Sequence, residues 1–304
     1  MSLGQRPDAA AFGGGPFLLA LAVVAVWGTN FVVIRLGLDA LPPLLFAALR
    51  FTLAAFPLVF FIRRPAVAWR NLAAYGVLIG VGQFGLLFIA IDGWIAPGLA
   101  SLVIQIQVVF TIALAMRGTG ERLVPVQYAA LALAVAGIAI ILAHTGGTTT
   151  PLGVALVVVA AFNWALANIV QRRAGRVDML AFIVWSSLFA IPPLFALAFL
   201  FEGSARIVQA IGDAGPQVWA VIAWQAVGNS MFGYGAWGWL LARYPASSVA
   251  PMALLVPVFG MGSAALWLGE PLPGWKLLAA LCIVGGLAVN MLGPRLFARP
   301  AISP

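Results

Sequence analysis

The chain has 304 residues, 63% of them hydrophobic and only 8% charged, with a mean hydropathy of +1.08. A water-soluble surface takes about a quarter of a chain's residues as charges, so a soluble globular protein is excluded. The net charge of +8 does not point to nucleic acid either, because the 16 basic residues are scattered between apolar runs and not gathered on one solvated face.

Residues 1–16 are polar and Gly-rich and read as a cytoplasmic tail. The apolar run from Phe17 to about Ile34 is too long for the h-region of a signal peptide and lacks a small-x-small exit, so it is expected to remain as a first membrane span. Nine more apolar runs follow, at about 42–62, 71–91, 97–116, 123–143, 152–171, 179–201, 217–241, 246–268 and 273–293. Each is long enough for a membrane-crossing helix. None alternates polar and apolar residues with the period of two that barrel strands require. Pro, Gly and charge punctuate short gaps, so spans adjacent in sequence are expected to pack antiparallel.

With the N-terminus inside, twelve basic residues fall on inside segments: Arg6, Arg63, Arg64, Arg70, Arg117, Arg122, Arg172, Arg173, Arg176, Arg243, Arg295 and Arg299. Arg35, Arg206 and Lys276 fall outside, and Arg50 lies within span 2. That bias places both termini in the cytoplasm. The stretch Gly98 to Ile140 meets Ser247 to Val289 at an offset of 149 positions, with Gly120-Glu121 falling on Gly269-Glu270. Trp27 and Arg35 of span 1 likewise match Trp164 and Arg172 of span 6, both pairs eight apart. These matches read as an internal duplication, a first unit at 17–145 and a second at 146–294, with a short cytoplasmic tail at 295–304. Five spans per unit is an odd number, so the second unit enters the membrane from the opposite side. Inverted repeats of this kind place a substrate site near the midplane.

The motifs WGTNFVVIRLG in span 1, ALRF in span 2, APGLASLVIQIQVVFT in span 4 and the two Gly-Glu corners resemble the drug/metabolite transporter superfamily. Within it the chain is similar to the bacterial EamA-type exporters of amino acids and metabolites, including aromatic-amino-acid and cysteine/O-acetylserine exporters. The resemblance covers almost the whole chain, from about Phe17 to Leu292. It implies an all-α integral membrane protein of ten transmembrane helices, built as two inverted EamA-type five-helix repeats around a central cavity. It further implies export of small metabolites, amino acids foremost, across the bacterial inner membrane by alternating access. Members often carry a proline midway along spans 4 and 9. Here Pro257 stands in span 9 and its counterpart in span 4 is Val108, so Pro257 is the hinge candidate; Pro57, Pro192 and Pro193 are further flex points.

Polar groups inside spans mark a cavity or a helix interface. Trp27 and Asn30 share a face of span 1; Trp164 and Asn168 share a face of span 6, with Asn163 beside them. Amides suit the carboxylate and ammonium of a zwitterion, and indoles suit cation–π contact and apolar packing. Spans 3 and 8 add Gln83, Phe84, Gln225, Asn229, Tyr234 and Trp237, and Gly76-x-x-x-Gly80 reads as a close helix contact. Gln105 and Gln107 in span 4 lie two apart, roughly 200° around a helix, so at most one is expected to face the cavity. Arg50 reads either as a carboxylate anchor or as a cation snorkelling outward or bonding freed carbonyls and Asp39, the second reading preferred. Glu121 and Glu270 read as corner residues paired with nearby cations or amides. Trp69, Trp94, Trp219, Trp267 and Trp275 read as an interfacial belt.

The chain carries no phosphate-binding loop, and no carboxylate midway along any span to serve as a proton-coupling group. Facilitated diffusion down the substrate gradient is therefore the expected energetics, with no cofactor and no metal. An intramembrane enzyme would need a nucleophile–base pair or metal ligands, and the single histidine, His144, and single cysteine, Cys282, have no evident partners. Neutral or aromatic amino acids are the favoured substrates. Efflux of cationic drugs and passage through a passive channel are the alternatives, and a monomer in the lipid bilayer is the simplest assembly.

Overall fold

The computed structural model describes residues 13–119, 125–175 and 177–296. Its regular secondary structure there is helical, apart from one isolated β-bridge between Gly146 and Thr149. In chain order the helices are α1 (Gly14–Leu38), α2 (Pro43–Ala55), α3 (Trp69–Val77), α4 (Leu86–Ile91), α5 (Pro97–Val103), α6 (Gln107–Thr119) and α7 (Pro125–Ala143). There follow α8 (Pro151–Arg173), α9 (Met179–Phe201), α10 (Ser204–Gly212), α11 (Pro216–Ala223), α12 (Gly233–Arg243), α13 (Ala246–Val249), α14 (Val256–Leu268) and α15 (Gly274–Leu296). Several are parts of one longer rod. A π-helical segment, Leu78–Gly85, joins α3 to α4, and another, Trp224–Phe232, joins α11 to α12. The 3₁₀ turns Ile104–Ile106 and Ala250–Leu255 join α5 to α6 and α13 to α14.

Local sequence explains the helix ends. Proline opens α2, α5, α8 and α11, where its missing N–H leaves no bond unmade. Thr150 Oγ1 accepts from the Gly153 amide at 3.0 Å, and an Asp178 carboxylate oxygen accepts from the Ala181 amide at 3.0 Å, capping α8 and α9. Gly269, at φ +67°, takes the left-handed conformation that ends α14.

Among the described residues nine helical stretches are long and apolar enough to cross a membrane. Burial runs opposite to that of a soluble protein. Phe60, Phe61 and Leu266 are 76%, 80% and 82% exposed, while Asn30, Arg50, Gln83, Gln105, Gln225 and Asn229 are buried. Lipid is the solvent that makes this arrangement favourable, and the chain is a multi-pass membrane protein. Helix packing follows small residues: a Cβ on Gly76 would overlap the Ser186 carbonyl oxygen, and one on Gly80 would overlap Ala190, so α3 lies against α9 as the Gly76-x-x-x-Gly80 spacing leads one to expect. In the same way Gly28 seats α1 on α14 against Val256 and Phe259. The other long contacts are α2 along α9, α7 along α15, and α8 along α6 and the first π segment.

The amphipathic α10 lies in a segment that the sequence reading left as a connection between spans. Its Ile207 is buried while Val208 is exposed. Of the five interfacial tryptophans, Trp69, Trp94, Trp219 and Trp267 are exposed, whereas Trp275 stacks on His144 with ring centres 4.9 Å apart. The corner at Gly120-Glu121 lies outside the described residues.

Candidate functional site

A cavity of about 960 Å³ occupies the middle of the bundle. It runs from Trp27, Asn30 and Gln83 at mid-bundle to the exposed Gly175, Leu241 and Ala242, at the end where α8 turns into α9 and α12 finishes. The opposite end is tied shut. Glu202, just beyond α9, accepts from the Leu44 and Leu45 amides at 2.6 and 3.0 Å, binding the start of α2. Glu270, just beyond α14, accepts from the Gly98 amide at 3.1 Å and pairs with Lys276 at 3.7 Å, binding the start of α5. Both are carboxylates at helix N-termini, where the unpaired amides and the helix dipole favour negative charge. Glu270 thus makes the amide and cation contacts expected of a corner residue.

Four departures from α-helical geometry, the two π segments and the two 3₁₀ turns just named, border this cavity, whereas a further 3₁₀ turn at Leu58–Phe60 lies away from it. The π segments carry parallel tripeptides, Val81-Gly82-Gln83 and Val227-Gly228-Asn229, and both amides line the cavity. A π turn shifts the helical phase by about one residue and is found mostly at functional sites. The glycines allow it locally: Gly82 leaves room for the Asn163 side chain and Gly228 for the Trp224 ring. The 3₁₀ turns bring Gln105 and Ala253 to the wall, where Gln105 Nε2 donates to the Ala253 carbonyl at 3.4 Å. Span 4 therefore breaks its α-helix without a proline. In span 9 Pro257 sits in the first turn of α14, immediately after the second 3₁₀ turn.

The residues singled out from sequence fall into two groups. Trp27, Asn30, Gln83, Phe84, Gln105, Gln107, Trp164, Asn168, Asn229, Tyr234 and Trp237 all border the cavity. Trp27 donates its indole N–H to the Asn229 carbonyl at 3.2 Å, and its ring centre lies 5.4 Å from Tyr234 and 5.3 Å from Trp237. Across the cavity Asn168 Nδ2 donates to Gln107 Oε1 at 3.0 Å and to Thr111 Oγ1 at 3.2 Å. The buried carbonyl oxygens of the Asn30 and Gln83 side chains have no protein donor. Such acceptors match an ammonium or N–H group of a bound molecule.

Four expectations are corrected. Gln105 and Gln107 both face the cavity: in the 3₁₀ turn two positions differ by about 120°, against about 160° in an α-helix, and long side chains span the rest. Asn163 does not line the cavity. It is about 100° round α8 from Trp164, packs on Gly82, and donates back to the Val159 carbonyl at 2.9 Å. Gln225 is likewise away from it, fully buried with neither side-chain polar atom paired. Arg50 neither snorkels nor reaches Asp39, which pairs with Arg35 at 2.8 Å; the residue is 1% exposed.

The sequence inventory missed Tyr75, Gln171 and Asn290, which also line the cavity. Gln171 and Asn290 are polar residues near the ends of apolar runs, and a search of span ends would have found them. Tyr75 had no signal, because the π segment between it and Gln83 alters which residues share a face. Among the described residues no group of three or more His, Cys, Asp or Glu side chains gathers to hold a metal ion.

Comparison with known proteins places these features in context. The EamA-like transporter family matches residues 15–143 and 151–292. A "Probable amino-acid metabolite efflux pump" of Escherichia coli (strain K12) is 42% identical over 91% of this chain and 95% of its own length. A "Probable terminal-alkyne amino-acid exporter" of Streptantibioticus cattleyicolor is 30% identical over 90% of this chain and 92% of its own. A crystal structure at 21% sequence identity superposes with a TM-score of 0.62 over 93% of this chain and 99% of that one, which is a likeness of fold.

Proposed function

The chain belongs to the EamA-like transporter family, and on that premise we propose that it exports amino acids and related small metabolites across the bacterial inner membrane by alternating access. It is a transporter and not an enzyme. The observation that carries the substrate reading is the cavity itself, walled by indoles, a tyrosine and side-chain amides contributed by both halves of the chain. Unpaired amide oxygens suit an ammonium, and the Trp27–Tyr234–Trp237 cluster suits an apolar or aromatic side chain. The printed names of the Escherichia coli and Streptantibioticus relatives point to the same substrate class.

Ten spans in two inverted repeats are the architecture in this reading. The tenth crossing is Pro216–Arg243, helical throughout, whose Gln225, Asn229, tryptophans and glycines dilute its hydropathy. Helix pairing supports the two-fold relation. Span 1 packs on span 9 as span 6 packs on span 4, and span 6 packs on span 3 as span 1 packs on span 8. The self-related pairs, span 2 with span 7 and span 5 with span 10, also lie together. With twelve basic residues on one side and three on the other, the open end of the cavity faces the cytoplasm, where an exporter loads. Transport follows the substrate gradient, and the unit is a monomer.

Counterflow in proteoliposomes tests the reading. Vesicles are loaded with unlabelled amino acids one at a time, and entry of a labelled neutral amino acid is followed. Saturable entry stimulated by a subset of them is the expected result. Movement of a cationic dye with no amino-acid stimulation would replace amino-acid export by drug efflux, and linear flux would mean a channel. A rate that climbs steeply with an imposed pH gradient at constant substrate would overturn the facilitated mechanism.

A further inference from the structure

Arg50 is a buried charge deep within a membrane span, and no carboxylate faces it among the described residues. Its Nη2 donates to Ser230 Oγ at 3.1 Å, while Nε and Nη1, which carry three N–H donors, have no acceptor. The guanidinium lies over the Phe84 ring, its carbon 3.5 Å from the ring centre. A cation–π contact of that kind satisfies the face of the guanidinium and leaves its in-plane donors unpaired. An unpaired cation inside a bilayer protein is costly, and such residues mark ligand or ion sites.

A second, small compartment of about 10 Å³, the space of about one water molecule, lies beside Arg50. Tyr75, Phe84 and Tyr234 line both this compartment and the central cavity, so these three rings form the wall between them. The remaining polar lining is hydroxylic, from Ser186, Ser187 and Ser230. The three serine hydroxyls donate to the Ile183 and Gln225 carbonyls, so the unpaired donors that an anion would meet in this pocket are those of the Arg50 guanidinium.

We propose that Arg50 is the carboxylate-recognising residue of this transporter: when the Phe84 ring moves off the guanidinium, the free N–H groups take the carboxylate of a substrate whose ammonium and side chain lie in the central cavity. The inference rests on the amino-acid reading above. It makes the substrate the missing counter-ion, so molecules without a carboxylate leave Arg50 unpaired and are rejected. A site built to bond a polar group discriminates strongly against analogues lacking it.

The test is counterflow with L-phenylalanine and L-leucine, each beside its carboxamide, which keeps the ammonium and side chain but loses the negative charge. Wild-type protein is expected to prefer the acids by about a hundredfold or more. Arg50→Gln is expected to lose most acid transport and to bring acid and amide within a few-fold, and Arg50→Lys to restore part of the preference. Should Arg50→Gln fail to fold by size-exclusion chromatography, Phe84→Ala serves instead: it keeps Arg50, opens the wall, and should retain the preference for acids. Equal transport of acid and amide by the wild type, or a full preference kept by folded Arg50→Gln, or a preference lost in Phe84→Ala, overturns the role of Arg50 while transport itself stands. Equal transport together with dependence on chloride would assign the compartment to a halide and likewise overturn it. No exchange of either amino acid in either form removes this proposal and the amino-acid reading together.

Discussion

Gly76→Ala is the sharpest test of the packing, because its counterpart Gly262→Ala has the opposite expected sign. An added methyl at Gly76 would land on the Ser186 carbonyl oxygen, 3.1 Å from that carbonyl carbon and 3.2 Å from Phe189 Cβ. Two of these three atoms are backbone, so no side-chain rotation relieves the overlap, and α3 and α9 must part by about 1 Å. A gap of that size forfeits a quarter to a half of each dispersion contact along the interface, and small-to-large changes in packed cores typically cost about 1–3 kcal/mol. At Gly262, inside α14, an added methyl meets nothing within 4 Å, and alanine's helix propensity is worth up to about 1 kcal/mol. Thermal unfolding of purified protein in detergent, followed by loss of the monodisperse peak, reads both. Gly76→Ala should fall by several degrees and Gly262→Ala should hold or rise. Equal melting temperatures for the two variants would refute the claim that close approach of α3 to α9 is what requires the glycine.

Three further outcomes are expected. Glu270→Gln should lower stability by about 2 kcal/mol, because it leaves the buried Lys276 without its counter-charge; adding Lys276→Met should recover much of the loss, and an additive double variant would argue that the pair is incidental. Gly233→Ala would place a methyl on the Trp27 indole nitrogen and break its bond to the Asn229 carbonyl, so counterflow KM should rise about tenfold, equivalent to 1.4 kcal/mol, with tryptophan emission shifted and the melting temperature little changed. Asn168→Ala removes one donor to Gln107 while Thr111 still serves it. Stability should therefore change by about 1 kcal/mol or less while transport weakens severalfold, and unchanged transport would take Asn168 out of the site.

Sequence alone determined that this chain lives in a membrane, roughly where nine of its spans lie, and which residue types lie inside them. The reason is physical: a bilayer demands long uninterrupted apolar helices, and the proline, glycine and charge that end them are local signals. The close contact at Gly76 and Gly80 and the pairing of Glu270 were legible for the same reason, since each follows from spacing along one helix or from one corner. Which side chains meet across the bundle was decided by tertiary structure. Helical-wheel reasoning carries a constant 100° per residue, and here two π segments and two 3₁₀ turns break that constant at the cavity wall. Those breaks turn both Gln105 and Gln107 inward and put Tyr75 on the same wall as Gln83; Asn163, on unbroken α8, is instead drawn off the wall by the vacancy at Gly82. Arg50 shows the same limit most plainly. Its place in span 2 was visible at once, but only the packing of α2 against the π segments shows a guanidinium lying on Phe84 with three donors unpaired.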